Sequence, residues 1–427
     1  LGKGWGSLHE TQDQRAITAP ITAFSALALS AEDLPELIAR AYAVFDSERP
    51  RPVHISVPLD VLAAPIKRDW SHEVVRRPGR GLPSAEALEL AVAKLAAAKQ
   101  PMIIAGGGAL AAGDALQRLS TLLAAPFFSS VAGKGLLPVN DPLNAGATLC
   151  VEPGWQLISQ ADVVLAVGTE MADTDYWRER LPITGELLRI DIDPRKFNDF
   201  YPCAVALKGD AQQTLLALLE RLPPAPRNAD AASQKVATLL EAVERGHGPL
   251  QTIHQGILER IEAELPANAF ISSDMTQLAY TGNYAYRSRA PRSWLHPTGY
   301  GTLGYGLPAG IGAKFGAPLR PGLVLVGDGG FLYTAQELAT AVEELHSPLV
   351  VLLWNNDALG QIRDDMLSLD IEPIGVLPRN PDFALFAQAF GCTVNQPKNL
   401  DELQTDLRNG FKRNGVTLIE LKHACAC

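Results

Sequence analysis

Residues 323–356 decide the fold of this chain, and they read LVLVGDGGFLYTAQELATAVEELHSPLVVLLWNN. Two short apolar runs flank a segment with helical periodicity. This pattern predicts a strand over residues 323–326, a helix over about 334–346 and a second strand over 349–354. Strands joined by such a helical crossover are parallel and end on the same edge of their sheet. The stretch therefore predicts a βαβ unit.

Polar residues follow both predicted strands at that shared edge. Asp328 lies in a Gly-Asp-Gly-Gly turn at residues 327–330, and Asn355 and Asn356 follow 27 and 28 residues later. A carboxylate and an amide oxygen suit Mg²⁺, which binds few protein oxygens together with phosphate oxygens. The turn glycines leave backbone N–H groups open to a phosphate. An ordinary strand edge with turn glycines is the alternative interpretation.

Gly-Asp-Gly, then 25 residues, then Asn-Asn resembles the cofactor motif of thiamine diphosphate (ThDP)-dependent enzymes. Residues 291–318, PRSWLHPTGYGTLGYGLPAGIGAKFGAP, are similar to the corresponding segment of acetolactate synthases and 2-oxo acid decarboxylases. The resemblance covers nearly the whole chain. It implies an α/β fold of parallel-sheet, three-layer domains: a pyrimidine-binding (PYR) domain, a central domain and a diphosphate-binding (PP) domain.

The resemblance also implies domain boundaries. Residues 1–65 correspond to the C-terminal part of a PYR domain, 66–81 to a linker, 82–222 to the central α/β domain, 223–248 to a second linker and 249–427 to the PP domain. In the family, most of the PYR sheet comes earlier, with the glutamate that protonates the aminopyrimidine of ThDP. That part is missing from this sequence, so we expect either a fragment or a chain given without its upstream portion.

Composition limits the class of protein. A chain of 427 residues predicts more than one domain. A net charge of −10 argues against nucleic acid or an anionic membrane as partner. No apolar run is long enough to span a bilayer, and no cleavable signal is visible. The five cysteines form no disulfide framework, which favours the reduced cytoplasm.

Individual roles follow from the resemblance. Asp328, the side chain of Asn356 and the backbone carbonyl of Ala358 are the implied Mg²⁺ ligands. Leu303 is the implied apolar support of a bent cofactor. The backbone carbonyl of Gly301 is the implied acceptor of a hydrogen bond from the amino group of ThDP. The predicted cofactor-binding set is Thr276, Gln277, Gly301, Thr302, Leu303, Gly327, Asp328, Gly329, Gly330 and Asn356.

Some of these residues have an open alternative. Thr276 and Gln277 follow a predicted strand and either contact phosphate or cap a helix. His296 precedes the glycine-rich block and either faces the active site as a third catalytic candidate or lies in a solvated loop. His9 has the same two interpretations. Asn355 is expected to support the turn rather than bind the cation.

The central domain carries a weaker signal. GGGALAAG follows a predicted strand at residues 101–105, but it is not the full dinucleotide fingerprint. A tight βα turn is the preferred interpretation over a nucleotide phosphate site. GTEMADTDYW, after the strand at residues 162–167, lacks the Arg-Phe-Asp-Asp sequence associated with flavin-binding members of the family. FAD is therefore not expected.

The substrate region follows the two asparagines. Acetolactate synthases tend to have Gln-Trp-Gln there, whereas this chain has Gln361 and then the adjacent acids Asp364 and Asp365. Paired carboxylates suit a guanidinium group, although acids at an exposed helix start are favourable without any ligand. HETQDQRAITAPITAFSA (residues 9–26) and NNDALGQIRDDM (residues 355–366) most resemble the 5-guanidino-2-oxopentanoate (2-ketoarginine) decarboxylases of bacterial arginine catabolism.

The predicted function is ThDP- and Mg²⁺-dependent, non-oxidative decarboxylation of a small 2-oxo acid to an aldehyde. Carboligation of the acetolactate synthase type is the alternative reaction. A non-catalytic fragment that binds phosphate compounds or partners is the alternative of another class. In the family the cofactor lies between the PYR domain of one subunit and the PP domain of another, so the resemblance implies a homodimer or homotetramer.

Overall fold

The computed structural model describes residues 4–70 and 79–426, which contain one small and two large parallel sheets. Each large sheet has apolar clusters on both of its faces, so the predicted α/β fold class with three-layer domains is confirmed. Residues 71–78 of the predicted first linker lie outside the described residues. Within residues 4–70 and 79–426, no helix combines the length and apolar character needed to cross a membrane.

The N-terminal part contains the small sheet. Strands β1 (Phe24–Leu27) and β2 (Val53–Ser56) pair in parallel and are half-buried. The helices are α1 (Gln14–Thr18), α2 (Leu34–Ser47) and α3 (Leu59–Leu62).

The central domain has a six-stranded parallel sheet in the order β5-β4-β3-β6-β7-β8. Its strands are β3 (Pro101–Ala105), β4 (Phe127–Ser129), β5 (Asn144–Gly146), β6 (Val163–Val167), β7 (Glu186–Asp191) and β8 (Val205–Lys208). Its helices are α4 (Ala85–Ala97), α5 (Gly113–Leu123), α6 (Glu152–Ile158) and α7 (Ala211–Arg221). A further helix, α8 (Asp230–Arg245), lies within the predicted second linker and packs on this sheet through Val236, Leu239 and Val243. Ile103 and Ile104 of β3 belong to apolar clusters on opposite faces, which explains why this strand is apolar throughout.

The glycines after β3 form the predicted tight βα turn. A Cβ atom on Gly106 would lie 2.6 Å from the carbonyl oxygen of Gly168, so the close approach of the two turns after β3 and β6 requires glycine. A cavity of about 600 Å³ lies beside these turns, lined in part by Asp191 and Arg292. That this domain holds no FAD stays a prediction.

The C-terminal domain has a second six-stranded parallel sheet, in the order β10-β9-β11-β12-β14-β13. Its strands are β9 (Phe270–Ser273), β10 (Trp294–Leu295), β11 (Gly322–Gly327), β12 (Leu349–Asn355), β13 (Thr393–Asn395) and β14 (Val416–Lys422). Its helices are α9 (Pro249–Glu264), α10 (Gln277–Ala285), α11 (Gly306–Gly316), α12 (Asp328–Leu332), α13 (Leu338–Glu344), α14 (Gly360–Ser368), α15 (Phe383–Ala389), α16 (Leu400–Lys412) and α17 (His423–Ala426). The strand order reverses between β9 and β11, which opens a crevice at the carboxyl edge.

The βαβ unit differs from its prediction at the start of the helix. The strands are confirmed as β11 and β12, which pair in parallel. The helical segment begins at Asp328 directly after β11, and a 3-10 turn at Ala335–Glu337 precedes α13. The helix predicted over about residues 334–346 is present as this 3-10 turn followed by α13, whereas the predicted tight turn at residues 327–330 is the start of an additional short helix, α12. Asp328 is therefore the first residue of α12.

Candidate active site

The ends of β11 and β12 bring the first site residues together. The register pairs Gly327 with Trp354, so Asp328 and Asn355 follow at neighbouring positions on the carboxyl edge of the sheet. The predicted meeting of Asp328 with the asparagine pair is confirmed. It results from the parallel crossover alone.

Asp328 is a buried carboxylate with 2% of its surface exposed. Its Oδ1 accepts a hydrogen bond from the backbone N–H of Gly329 at 2.9 Å, and its Oδ2 accepts one from Nδ2 of Asn380 at 2.7 Å. Burial raises the pKa of Asp328, and these two hydrogen bonds partly offset that effect. Among the ion pairs within the described ranges, none includes Asp328. A divalent cation would compensate its charge.

The two asparagines have different roles. Asn355 is 4% exposed; its Nδ2 donates to Glu420 at 2.8 Å, and its Oδ1 accepts from the N–H of Asp357 at 3.1 Å. It therefore holds the turn, as the sequence predicted. Asn356 lines a cavity, where its Oδ1 accepts from the N–H of Ala358 at 3.3 Å.

Gln277 connects the asparagine to the substrate region. Its Oε1 accepts from Nδ2 of Asn356 at 3.2 Å, and its Nε2 donates to Oδ2 of Asp364 at 2.8 Å. Thr276 is the residue before α10 and makes no side-chain capping bond. The sequence left two interpretations open for Gln277, a place in the site or helix capping. Its side-chain contacts favour a place in the site.

Asp274 is a site residue whose role the sequence did not indicate. It follows β9, is 1% exposed, and accepts hydrogen bonds from the N–H groups of Gly304 at 3.1 Å and Gly306 at 2.9 Å. Burial raises its pKa, and these N–H groups lower it. Asp274 thereby holds the loop that carries Gly301 and Leu303 across the crevice from Asp328.

These elements enclose a cavity of about 180 Å³. The predicted residues that line it are Thr276, Gln277, Gly301, Leu303, Gly327, Asp328, Gly329, Gly330, Asn356, Ala358 and Gln361. The sequence did not single out the lining residues Met275, Tyr280, Leu359, Gly360 and Ile362. Met275 and Tyr280 lie within three residues of Gln277 in the sequence, near the start of α10. This closeness to a predicted site residue is the only feature of the sequence that indicates them.

Five predicted or candidate residues do not line this cavity, and one of them, His9, is exposed in the N-terminal part. Thr302 is exposed, although both of its neighbours are cavity-lining. His296 is partly buried, with Nδ1 at 2.9 Å from Ser273 Oγ and Nε2 at 3.1 Å from Asn283 Nδ2. Both ring nitrogens are thus engaged with protein side chains, and burial lowers the pKa of this histidine to about 4. Asp365 is exposed, and Asp364 lines an adjoining cavity.

The residues present fit a bound Mg²⁺-diphosphate group. Oδ1 of Asn380 is buried beside Asp328 and has no hydrogen-bond partner, as a ligand to a cation or its water would. A Cβ atom on Gly329 would lie 2.5 Å from Cδ2 of Leu359, so the backbone packs too closely there for any side chain. Backbone N–H groups without side chains in front of them suit phosphate oxygens.

Comparison with known proteins agrees with this geometry. Residues 274–421 match the family described as thiamine pyrophosphate enzyme, C-terminal TPP binding domain, and residues 88–218 match its central domain. The probable 2-ketoarginine decarboxylase AruI of Pseudomonas aeruginosa is 76% identical over 426 residues, which cover 100% of this chain and 76% of that protein. The chain belongs to the thiamine pyrophosphate enzymes.

More distant members of this family include acetolactate synthases. The large subunit of acetolactate synthase isozyme 1 from Escherichia coli is 29% identical over 420 residues, covering 96% of this chain and 74% of that subunit. A probable acetolactate synthase large subunit from Methanocaldococcus jannaschii is 27% identical over 436 residues, which cover 96% of this chain and 73% of that subunit. The TPP-binding match begins at Asp274, so it includes every residue that lines the cavity.

Proposed function

We propose that this thiamine pyrophosphate enzyme catalyses the Mg²⁺-dependent, non-oxidative decarboxylation of 5-guanidino-2-oxopentanoate. The observation that carries the reaction class is the cavity in which Asp328 and Asn356 face Gly301 and Leu303. The 76% identity to a probable 2-ketoarginine decarboxylase supports the substrate. In the reaction the C1–C2 bond breaks, carbon dioxide leaves, and a proton takes its place on C2, which gives 4-guanidinobutanal.

Asp328, Oδ1 of Asn356 and the carbonyl of Ala358 would hold Mg²⁺, and the N–H groups of Gly329 and Gly330 would bind the diphosphate. Bound ThDP supplies the electron sink that accepts the electron pair of the breaking bond. The protein's contribution is to bind and orient the cofactor and the substrate and to exclude water from the site.

Leu303 and Gly301 would orient the reactive end. Leu303 is half-buried and reaches the cavity from a loop that Asp274 anchors through its two backbone hydrogen bonds. Gly301 has a φ of +68°, and this left-handed conformation leaves its carbonyl in an orientation that other residues rarely adopt. Met275 and Ile362 add apolar walls that limit access of water.

Assembly and location belong to the same proposal. A site completed by a second subunit would make the active enzyme a homodimer or homotetramer, and the cytoplasm is the expected compartment. Sedimentation of the protein with ThDP and Mg²⁺ would reveal a monomer if the assembly proposal is wrong.

The test is an assay of purified protein with ThDP, Mg²⁺ and 5-guanidino-2-oxopentanoate, in which carbon dioxide and aldehyde are both measured. We expect equal amounts of the two products, and none from the Asp328→Asn variant. Acetolactate formed from pyruvate, without aldehyde from the guanidino substrate, would assign the chain to carboligation. ThDP binding without turnover of any 2-oxo acid would support a non-catalytic fragment.

A further inference from the structure

A second cavity, of about 300 Å³, adjoins the cofactor cavity between the central and C-terminal domains. The two cavities share three lining residues, Gln277, Tyr280 and Gln361. A substrate whose 2-oxo group reacts in the first cavity can therefore extend its tail into the second.

Two aromatic rings form part of its wall. The rings of Trp177, from the central domain, and Tyr280, on α10, have centroids 6.1 Å apart and planes inclined by 62°. Trp177 has a φ of +50°, which is unfavourable for a bulky residue, so the surrounding loop imposes this orientation. Its side chain is 59% exposed and leaves ring surface free. A planar cation gains favourable contact with such rings.

Asp364 gives the second cavity its charge. Burial lowers the pKa of His254 to about 4 and raises the pKa of Cys150 and Tyr280 to about 12, so all three are neutral at neutral pH. Among the described residues that line the cavity, Asp364 is then the only charged one. The cavity therefore favours a cation over a neutral or anionic group.

The carboxylate of Asp364 already binds one guanidinium group. Its Oδ1 accepts from Nε and Nη2 of the adjacent Arg363 at 3.0 and 2.9 Å. Its Oδ2 accepts from Nε2 of Gln277 at 2.8 Å, and a carboxylate oxygen has capacity for a second donor. The Arg363 side chain is 36% exposed, and exposed ion pairs are weak. A ligand guanidinium can therefore share or replace this contact.

Asp365 is the less suitable of the two adjacent acids. It is exposed, does not line the second cavity, and accepts a hydrogen bond from Nε2 of Gln361 at 2.9 Å. The sequence could not separate Asp364 from Asp365, whereas their placement on α14 does.

We propose that the second cavity holds the guanidinium group of the substrate, with Asp364 as its specificity-determining residue and the rings of Trp177 and Tyr280 beside the cation. This inference rests on the proposed function, because it assumes that the 2-oxo group reacts in the neighbouring cavity. Gln277 then links recognition of the tail to the cofactor site, since it contacts both Asp364 and Asn356.

The test compares 5-guanidino-2-oxopentanoate with its uncharged analogue 5-ureido-2-oxopentanoate in the holoenzyme. Asp364→Asn preserves the shape of the side chain and removes its charge, so we expect the kcat/KM ratio of the two substrates to fall about 10- to 100-fold. Arg363→Met removes the protein's own guanidinium group from Asp364. This variant should maintain or raise the kcat/KM ratio of the guanidino substrate to the ureido substrate. Glu372→Gln, an exposed charge change beyond α14, should leave it unchanged.

A binding measurement separates this inference from the proposed function. Calorimetry with 5-guanidinopentanoate and 5-ureidopentanoate, which lack the oxo group and cannot react, reports recognition of the tail without turnover. We expect the guanidino compound to bind more tightly, and Asp364→Asn to remove the difference. An unchanged ratio in Asp364→Asn, or a loss seen only in Asp365→Asn, would overturn the assignment. Failure of the wild-type protein to decarboxylate either 2-oxo acid would instead contradict the proposed function.

Discussion

Asn380 holds the buried carboxylate of Asp328 through a hydrogen bond of 2.7 Å between Nδ2 and Oδ2. The same Nδ2 lies 3.3 Å from Oδ1 of Asn355 and 3.1 Å from Oδ1 of Asp357. The loop between α14 and α15 thus supplies a donor that orients the proposed cation ligand. Residues that orient metal ligands contribute strongly to metal affinity.

Replacement of Asn380 by alanine should weaken Mg²⁺ binding. The variant loses the hydrogen bond that fixes Asp328, and we expect the Mg²⁺ affinity measured with ThDP present to fall about 10- to 100-fold. Titration calorimetry measures this directly. Asn409→Ala on the exposed side of α16 is the matched control and should bind as the wild type does. Equal affinities of the two variants would show that Asn380 does not orient the site.

Replacement of Asp328 by asparagine should abolish Mg²⁺-dependent ThDP binding. The substitution keeps the size of the side chain. A loss of ThDP binding would therefore result from the missing negative charge and not from a packing defect. Circular dichroism should show an unchanged fold, and calorimetry should show no binding. Glu343→Gln, an exposed change in the same βαβ unit, should bind normally. Unchanged ThDP affinity in Asp328→Asn would remove the central claim about the site.

Mg²⁺ binding should release a proton at acidic pH. Burial raises the pKa of Asp328 above its usual value of 3.8, so without a cation this carboxyl holds its proton to a higher pH when folded than when unfolded. A bound cation requires the ionised form. Mg²⁺ affinity should therefore fall as the pH decreases through the raised pKa of Asp328. Well above that pKa the carboxyl is already ionised, so the affinity should not depend on its protonation.

Calorimetry in two buffers with different ionisation enthalpies would count the released protons. In Asn380→Ala the pH at which affinity falls should move upward, because the hydrogen bond from Asn380 is one of the effects that lower the pKa. An affinity that does not change with pH, with no proton release, would contradict this account.

The sequence predicted those parts of the site that depend on backbone topology. Asp328 and the asparagine pair could be placed together because parallel strands end on one edge of the sheet. The choice of Asn356 over Asn355 as the cation ligand came from the family resemblance. Asn380 and Asp274 act through tertiary hydrogen bonds from loops, and no periodicity marks them. His296 was singled out by residue type, yet its environment is set by Ser273 and Asn283, which only the packed fold brings to it.

Lys134 connects the central domain to the helix that carries Gln277. Its side chain is buried, and Nζ donates to the backbone carbonyls of Gly282 at 2.9 Å, Asn283 at 2.7 Å and Tyr286, all at the end of α10. Burial lowers the pKa of Lys134 to about 7. Between about pH 7 and the ordinary lysine value of 10.5 the unfolded chain holds a proton that the folded chain does not. Stability should therefore rise with pH across this window.

Lys134→Met should remove this pH dependence, so the stability that it loses relative to the wild type should be larger at pH 9 than at pH 6. We expect a loss of about 1–3 kcal/mol at pH 9, because the carbonyl acceptors stay buried without a donor. Denaturant unfolding at pH 6 and pH 9 measures both effects, and Lys412→Met on the exposed face of α16 is the control. A stability difference from the wild type that is the same at pH 6 and pH 9 would show that Lys134 does not cause the pH dependence.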